Sequence, residues 1–227
     1  VFFFLSFSER SRLKNLGEKE NSLFSLRFFL LFRQMYLTPR YKTMKDETAR
    51  KELMLKLHKR KTDLFMEAVE SGSMPLRPGV KRLVQEAIAN GVKVAVCSTS
   101  NERAVTSIVK RLLGPEIFAR MPVFAGDAVR RKKPSPDIYL LAARELGVAP
   151  ARCVVIEDSE IGLAAGRAAG MRVIVTKSRY TDDESFEGAD AVFDCIGEEG
   201  EERFSLDDLT TPGALEQRKK EMEMKAV

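Results

Sequence analysis

Histidine, cysteine and long apolar runs are all scarce here: one histidine, three cysteines and no extended hydrophobic segment in 227 residues. The apolar stretch Phe28-Phe29-Leu30-Leu31-Phe32 is closed by Arg27 and Arg33, well short of the roughly 18 residues a membrane-crossing helix needs. No membrane span is expected. Cys97, Cys153 and Cys195 stand in or beside apolar strand-like runs and show no CxxC or other metal spacing, so buried thiols in a reducing compartment are expected. His58 lies inside a helical stretch with no acid–base partner in the pattern, and a surface or cap role is expected of it.

Neither sign of charge dominates. The chain has 38 Lys plus Arg against 33 Asp plus Glu, a formal charge of +5. Bases interleave with acids, as in Lys51-Glu52 and Glu201-Glu202-Arg203, the pattern of a solvated helix face. A nucleic-acid partner is not expected, whereas a mildly positive field suits a small anionic substrate. With 44% hydrophobic and 31% charged residues, the length accommodates one α/β domain and a small appendage.

Four stretches of different character follow one another. Residues 1–43 hold two phenylalanine-rich clusters separated by a polar stretch, and resemble nothing downstream. Across 44–75, Leu53, Leu57, Leu64, Phe65 and Ala68 recur at helical spacing up to Ser71-Gly72, predicting one long amphipathic helix or a broken pair. Residues 76–210 then alternate strictly: helices at 79–90, 101–113, 135–146 and 160–169, strands at 92–98, 121–125, 153–157, 172–176 and 191–194. A glycine stands where each helix stops. Such alternation predicts an α/β fold, a Rossmann-like parallel sheet with helices on both faces. Residues 211–227 read as a charged helical tail in which Leu215 and Met222 are the candidates for packing.

Ligands of such sheets bind at the carboxyl ends of the strands, and the chemically suggestive residues all fall at or just after those ends. Glu157 and Asp158 end an apolar strand, where carboxylates suit Mg²⁺, a hard ion that takes one or two of them with waters and phosphate oxygens; Asp158 or Ser159 equally suits a helix cap. Ser98 ends another strand, and Thr99, Ser100 and Asn101 lead into a helix whose first N–H groups can cradle an anion or be capped by Ser100 or Asn101. Lys133, last of Arg130-Arg131-Lys132-Lys133, precedes Pro134, whose fixed φ favours a helix's first turn. A lysine there can neutralise a transferring phosphoryl group or belong to a solvated basic turn.

In this order and spacing, the strand-end Ser98-Thr99, Lys133-Pro134 and Glu157-Asp158 resemble the haloacid dehalogenase superfamily of phosphatases. Leu57 to Phe65, Leu76-Arg77-Pro78-Gly79-Val80, Cys97 to Glu102 and Val192 to Gly197 narrow the resemblance to the CbbY-like branch of plants and algae, over roughly residues 45–205. That resemblance implies a Mg²⁺-dependent phosphatase of a small sugar phosphate or bisphosphate, xylulose-1,5-bisphosphate among them, in the chloroplast stroma. It implies an α/β core and the remnant of a helical cap at 44–75. By the same resemblance Ser98 hydrogen-bonds the transferring phosphoryl group, Lys133 offsets its charge, and Asp158 with Glu157 anchors the metal. Thr99, Ser100 and Asn101 line the substrate-binding side, and Lys61 matches a cap lysine. A β-phosphoglucomutase-like mutase and a non-catalytic phosphometabolite binder remain alternatives.

One part of the pattern is missing. The superfamily's nucleophile is the first aspartate of an Asp-x-Asp motif ending the first strand, and no Asp-x-Asp precedes Ser98. Asp46 and Asp63 fall on the helical stretch and are not expected to replace it. The chain is therefore expected to be a truncated or misassembled form, with little or no hydrolysis, whose central strand slot is filled by residues 1–5 or 28–32 if it is filled at all.

Overall fold

Alternate residues of the central strands face opposite helix layers, which is why these runs are apolar throughout rather than in alternate positions. Val94 and Val96 of strand β2 (Val94–Cys97) belong to one core cluster, and Ala95 and Cys97 to the other. Strands β4 (Cys153–Glu157) and β5 (Arg172–Thr176) divide the same way: Val154, Ile156 and Ile174 lie on one side, Cys153, Val155, Val173 and Val175 on the other. These features are seen in a computed structural model that describes residues 2–6, 46–71, 76–177, 181, 183–198 and 204–225.

The chain forms two compact units, Val1–Arg12 with Leu76–Val227, and Leu13–Pro75. In the smaller unit the described part is one unbroken helix, α1 (Glu47–Glu70). Asp46 precedes it, its carboxylate accepting from the N–H groups of Thr48 at 2.9 Å and Ala49 at 3.2 Å, which satisfies two of the donors a helix start leaves open.

The larger unit is built on a six-stranded sheet in the order β3-β2-β1-β4-β5-β6, where β1 is Phe2–Ser6, β3 Val123–Phe124 and β6 Ala191–Phe193. Every pairing in it is parallel. One face is covered by α2 (Val80–Ala89), α3 (Glu102–Leu113) and α7 (Leu206–Thr210), through Leu83, Val84, Val105, Val109, Leu206 and Leu209, with Leu215 of α8 (Ala214–Lys225). The other is covered by α5 (Asp137–Glu145) and α6 (Glu160–Ala168), through Ile138, Tyr139, Ala142, Leu163 and Ala165. A short helix α4 (Pro115–Phe118) follows Gly114. Leu215 packs as expected; Met222 lies outside the described side chains.

Strand β1 occupies the central slot. It runs parallel to both neighbours, with Ser6 opposite Cys97 and Leu5 opposite Ile156. Of the two segments expected for this position, the one at the start of the chain holds it, one residue later than 1–5, while residues 28–32 lie outside the described residues. The slot has a physical logic, because an open gap at the sheet's centre would leave two rows of backbone groups unpaired in the core.

Element boundaries moved where turn geometry intervened. The Lys133-Pro134 bond is cis, and helix α5 begins at Asp137 rather than 135. The strand expected at 121–125 is only Val123–Phe124, followed by a 3₁₀ turn over Gly126–Ala128. Among the described residues no helix is long and apolar enough to cross a membrane.

Candidate active site

The two-residue alternation that builds the core also aims Glu157. Cys153 and Val155 face α5 and α6, so by the same parity Glu157 turns into that layer, and its carboxylate is only 1% exposed. A carboxylate cannot stay charged there without donors. One oxygen, Oε1, accepts from Lys133 Nζ at 2.7 Å and from the Tyr139 hydroxyl at 2.6 Å; Oε2 accepts from the Asp158 N–H at 3.0 Å and the Ser159 hydroxyl at 3.1 Å. Both oxygens are thus held by the protein.

Gly162 makes room for this arrangement. A Cβ there would lie 1.9 Å from Glu157 Cδ and 2.1 Å from each carboxylate oxygen. The first turn of α6 therefore closes directly over the charge, with Ser159 also capping the helix through the Gly162 N–H at 3.3 Å.

Lys133 is 5% exposed, and besides Glu157 it donates to the Cys97 carbonyl at 3.3 Å. Its Nζ stands 4.7 Å from the centre of the Tyr139 ring. These contacts bring the ammonium to the carboxyl end of β2, next to Ser98. Ser98 is buried, its N–H bonded to the Phe124 carbonyl at 2.9 Å and its Oγ accepting from the Ser100 N–H at 3.2 Å. Thr99 is exposed and Ser100 half-buried, with the Ser100 carbonyl accepting from the Gly126 N–H at 2.6 Å. Asn101 caps α3, its Oδ1 accepting from the Ala104 N–H at 3.3 Å.

Asp158 follows the end of β4 and is 3% exposed. A positive group stands in its neighbourhood: burial pulls the Arg77 guanidinium below its ordinary value, and the nearby Asp158 carboxylate opposes that fall. Arg77 donates to the Thr176 carbonyl at 3.1 Å, to Thr176 Oγ1 at 3.0 Å, to the Asp194 carbonyl at 3.1 Å and to the Lys177 carbonyl. It ties the ends of β5 and β6 together beside the site.

The chemistry of these donors separates the two carboxylates. Mg²⁺ takes hard oxygens and retains waters; Asp158, a buried carboxylate just past a strand end, fits it. Glu157 fits poorly as a ligand because each oxygen already accepts from protein donors. Among the described residues no three His, Cys, Asp or Glu side chains gather into a metal-holding group.

Ser98, Lys133, Glu157 and Asp158 thus converge on one edge of the sheet, with Thr99, Ser100 and Asn101 on the loop that follows β2. Lys61 lies on α1 in the other unit, and its side chain, like that of His58, is outside the described residues. Asp63 is bonded to Lys59 at 3.1 Å on the surface of α1. Tyr139, Arg77 and Gly162 were not singled out as site residues from sequence. A tyrosine on the apolar face Ile138-Tyr139-Ala142-Ala143 was the available signal, since a buried phenol needs a partner.

The profile of the haloacid dehalogenase-like hydrolases matches residues 13–170. The chain belongs to this family. It is 64% identical over 165 residues to a CBBY-like protein of Arabidopsis thaliana, a match covering 73% of this chain and 52% of that protein. It is 42% identical over 161 residues to the CbbY protein of Cereibacter sphaeroides, covering 70% of this chain and 68% of the other. The chain therefore spans about half the length of its Arabidopsis relative. Among solved structures, an aspartate-to-asparagine mutant of CbbY from Rhodobacter sphaeroides in complex with xylulose-1,5-bisphosphate is 30% identical, with a TM-score of 0.66 over 87% of this chain and 95% of that one. The same protein in complex with phosphate is 32% identical with a TM-score of 0.65, at the same coverage. The chain is a CbbY-like member of the hydrolase family, as the sequence resemblance implied.

Proposed function

We propose that the sheet edge formed by Ser98, Lys133 and Asp158 binds the phosphate of a small sugar phosphate or bisphosphate, and that the site is that of a Mg²⁺-dependent phosphatase. The observation that carries this reading is the buried Lys133 ammonium, held by Glu157 beside the end of β2. A preorganised cation in a low-dielectric setting stabilises phosphoryl charge without reorganising when the ligand arrives. The Ser98 hydroxyl and the N–H groups at the start of α3 supply hydrogen bonds to the same anion, and the family resemblance assigns Ser100 and Asn101 to a second phosphate.

Asp158 would hold the metal, with Glu157 acting as the lysine's anchor. Mg²⁺ bound there supplies Lewis-acid charge to the phosphoryl oxygens. A sugar bisphosphate is supported by the xylulose-1,5-bisphosphate bound to the Rhodobacter CbbY, and a chloroplast setting by the plant relative.

The same residues bear on turnover. Nucleophilic phosphatase chemistry of this family needs a carboxylate to attack phosphorus and a second to move the proton, and this chain offers no Asp-x-Asp before Ser98. The chain as it stands therefore binds its phosphorylated ligand and releases phosphate only at background rate. Calorimetric titration with xylulose-1,5-bisphosphate in Mg²⁺ buffer, paired with a phosphate-release assay, tests both halves. Binding without release is expected. Absence of binding removes the site reading; brisk release removes the claim about turnover.

A further inference from the structure

Tyr139 is fully buried among Ile138, Ala142, Ala143 and the strand residues of its cluster. Such a position is ordinarily phenylalanine or leucine territory, because a phenol brought there must find an acceptor. Its acceptor is Glu157 Oε1 at 2.6 Å, the atom that also receives Lys133 at 2.7 Å. The ring of the same tyrosine lies 4.7 Å from the lysine's nitrogen, within the reach of a cation–π contact.

We infer that Tyr139 is a positioning residue of the phosphate site: its hydroxyl and ring together fix where the Lys133 ammonium stands, without touching the ligand. The inference rests on the phosphate-binding reading above. A carboxylate oxygen shared between two donors offers the lysine one direction of approach, and the hydroxyl occupies the other. Oε2 is anchored by Asp158 N–H and Ser159, and Gly162 leaves the carboxylate no further room. Without the phenol, Oε1 loses one of its two described donors, and the ammonium is drawn toward the carboxylate and away from an incoming anion.

The probe is inorganic phosphate, titrated calorimetrically into the full chain and into Y139F, K133Q and the double variant, with a thermal melt of each. Gln at 133 keeps a donor for Glu157 but removes the charge. Y139F is expected to weaken phosphate about fivefold, the size of one hydrogen bond's net contribution. In the K133Q background the same change should have no effect, because contacts acting through one group are non-additive. I138V, which trims the same buried helix face without touching Glu157, should leave phosphate affinity unchanged even where it lowers the melt.

An unchanged affinity in Y139F overturns the inference, as does an equal loss in both backgrounds or a comparable loss in I138V. If K133Q binds too weakly to read, the comparison of Y139F with I138V decides. A wild-type chain that takes up no phosphate overturns the site reading itself, and this inference with it.

Discussion

Lys133 and Glu157 are 24 residues apart in sequence and 2.7 Å apart in space, with side chains 5% and 1% exposed. A buried ion pair of this kind is tolerable only because each partner is held by further contacts: Glu157 by Tyr139, Ser159 and the Asp158 N–H, and Lys133 by the Cys97 carbonyl. Breaking it from one side leaves the other charge stranded, and that asymmetry gives the first prediction.

Lys133→Met should destabilise the fold by about 3 kcal/mol, since removal of one partner exposes the cost of the buried carboxylate. Adding Glu157→Gln should recover much of that loss while phosphate binding stays absent. Urea midpoints of the single and double variants check this; a single variant as stable as wild type would show that the pair contributes nothing.

Gly162→Ala should cost about 2 kcal/mol, in the range of overpacked cores. The methyl group would lie 1.9 Å from Glu157 Cδ, and the carboxylate cannot swing aside without abandoning four donors. Combining it with Glu157→Ala, which vacates the space, should make the two effects markedly non-additive. Simple additivity in denaturant unfolding would sink the packing argument.

The thiols predict an alkaline instability. Burial pushes Cys153 up to about 11 from an ordinary 9.0, and raises Cys97 further still, against the pull of Lys133. Below pH 9.0 neither folded nor unfolded chain ionises Cys153; between there and about 11 only the unfolded chain releases the proton. Stability therefore falls as pH rises through that window. Cys153→Ala should make the decline shallower when melting temperatures are followed across it. An identical slope in the variant would assign the decline to other groups.

Native alkylation at pH 8 gives an independent reading of the same burial. Cys195 is half-buried and Cys97 and Cys153 are buried, so iodoacetamide should modify Cys195 first, and the other two only after denaturation. Mass spectrometry of the labelled peptides distinguishes this order from uniform labelling.

Much of the fold was legible because it follows from local chemistry. Strands at 153–157 and 172–176 appear at the expected bounds, since apolar runs bracketed by helix-ending glycines leave few alternatives. The helix at 135–146 was placed two residues early because nothing in Lys133-Pro134-Ser135 announces a turn before Asp137. The short helix Leu206–Thr210 was missed, although Ser205 and Asp208 form its capping box, each side chain reaching the other's backbone N–H. A segment of five residues carries too little periodicity to be recognised.

The sequence alone determined the class of fold, the parallel sheet, the location of Ser98 and Asp158 at strand ends and that of Lys133 in the loop before a helix, because side-chain period and turn residues are local properties. Tertiary structure decided which partner each one meets. Parity along β4 turns Glu157 into the helix layer, where a tyrosine from α5 and a lysine from the preceding loop share one of its oxygens. Pairing decided that Phe2–Ser6 fills the centre of the sheet. Contacts across 18 and 24 residues, and strand pairings between residues far apart in the chain, are set by the burial of the whole core rather than by any local pattern, so they become visible only once the chain is folded.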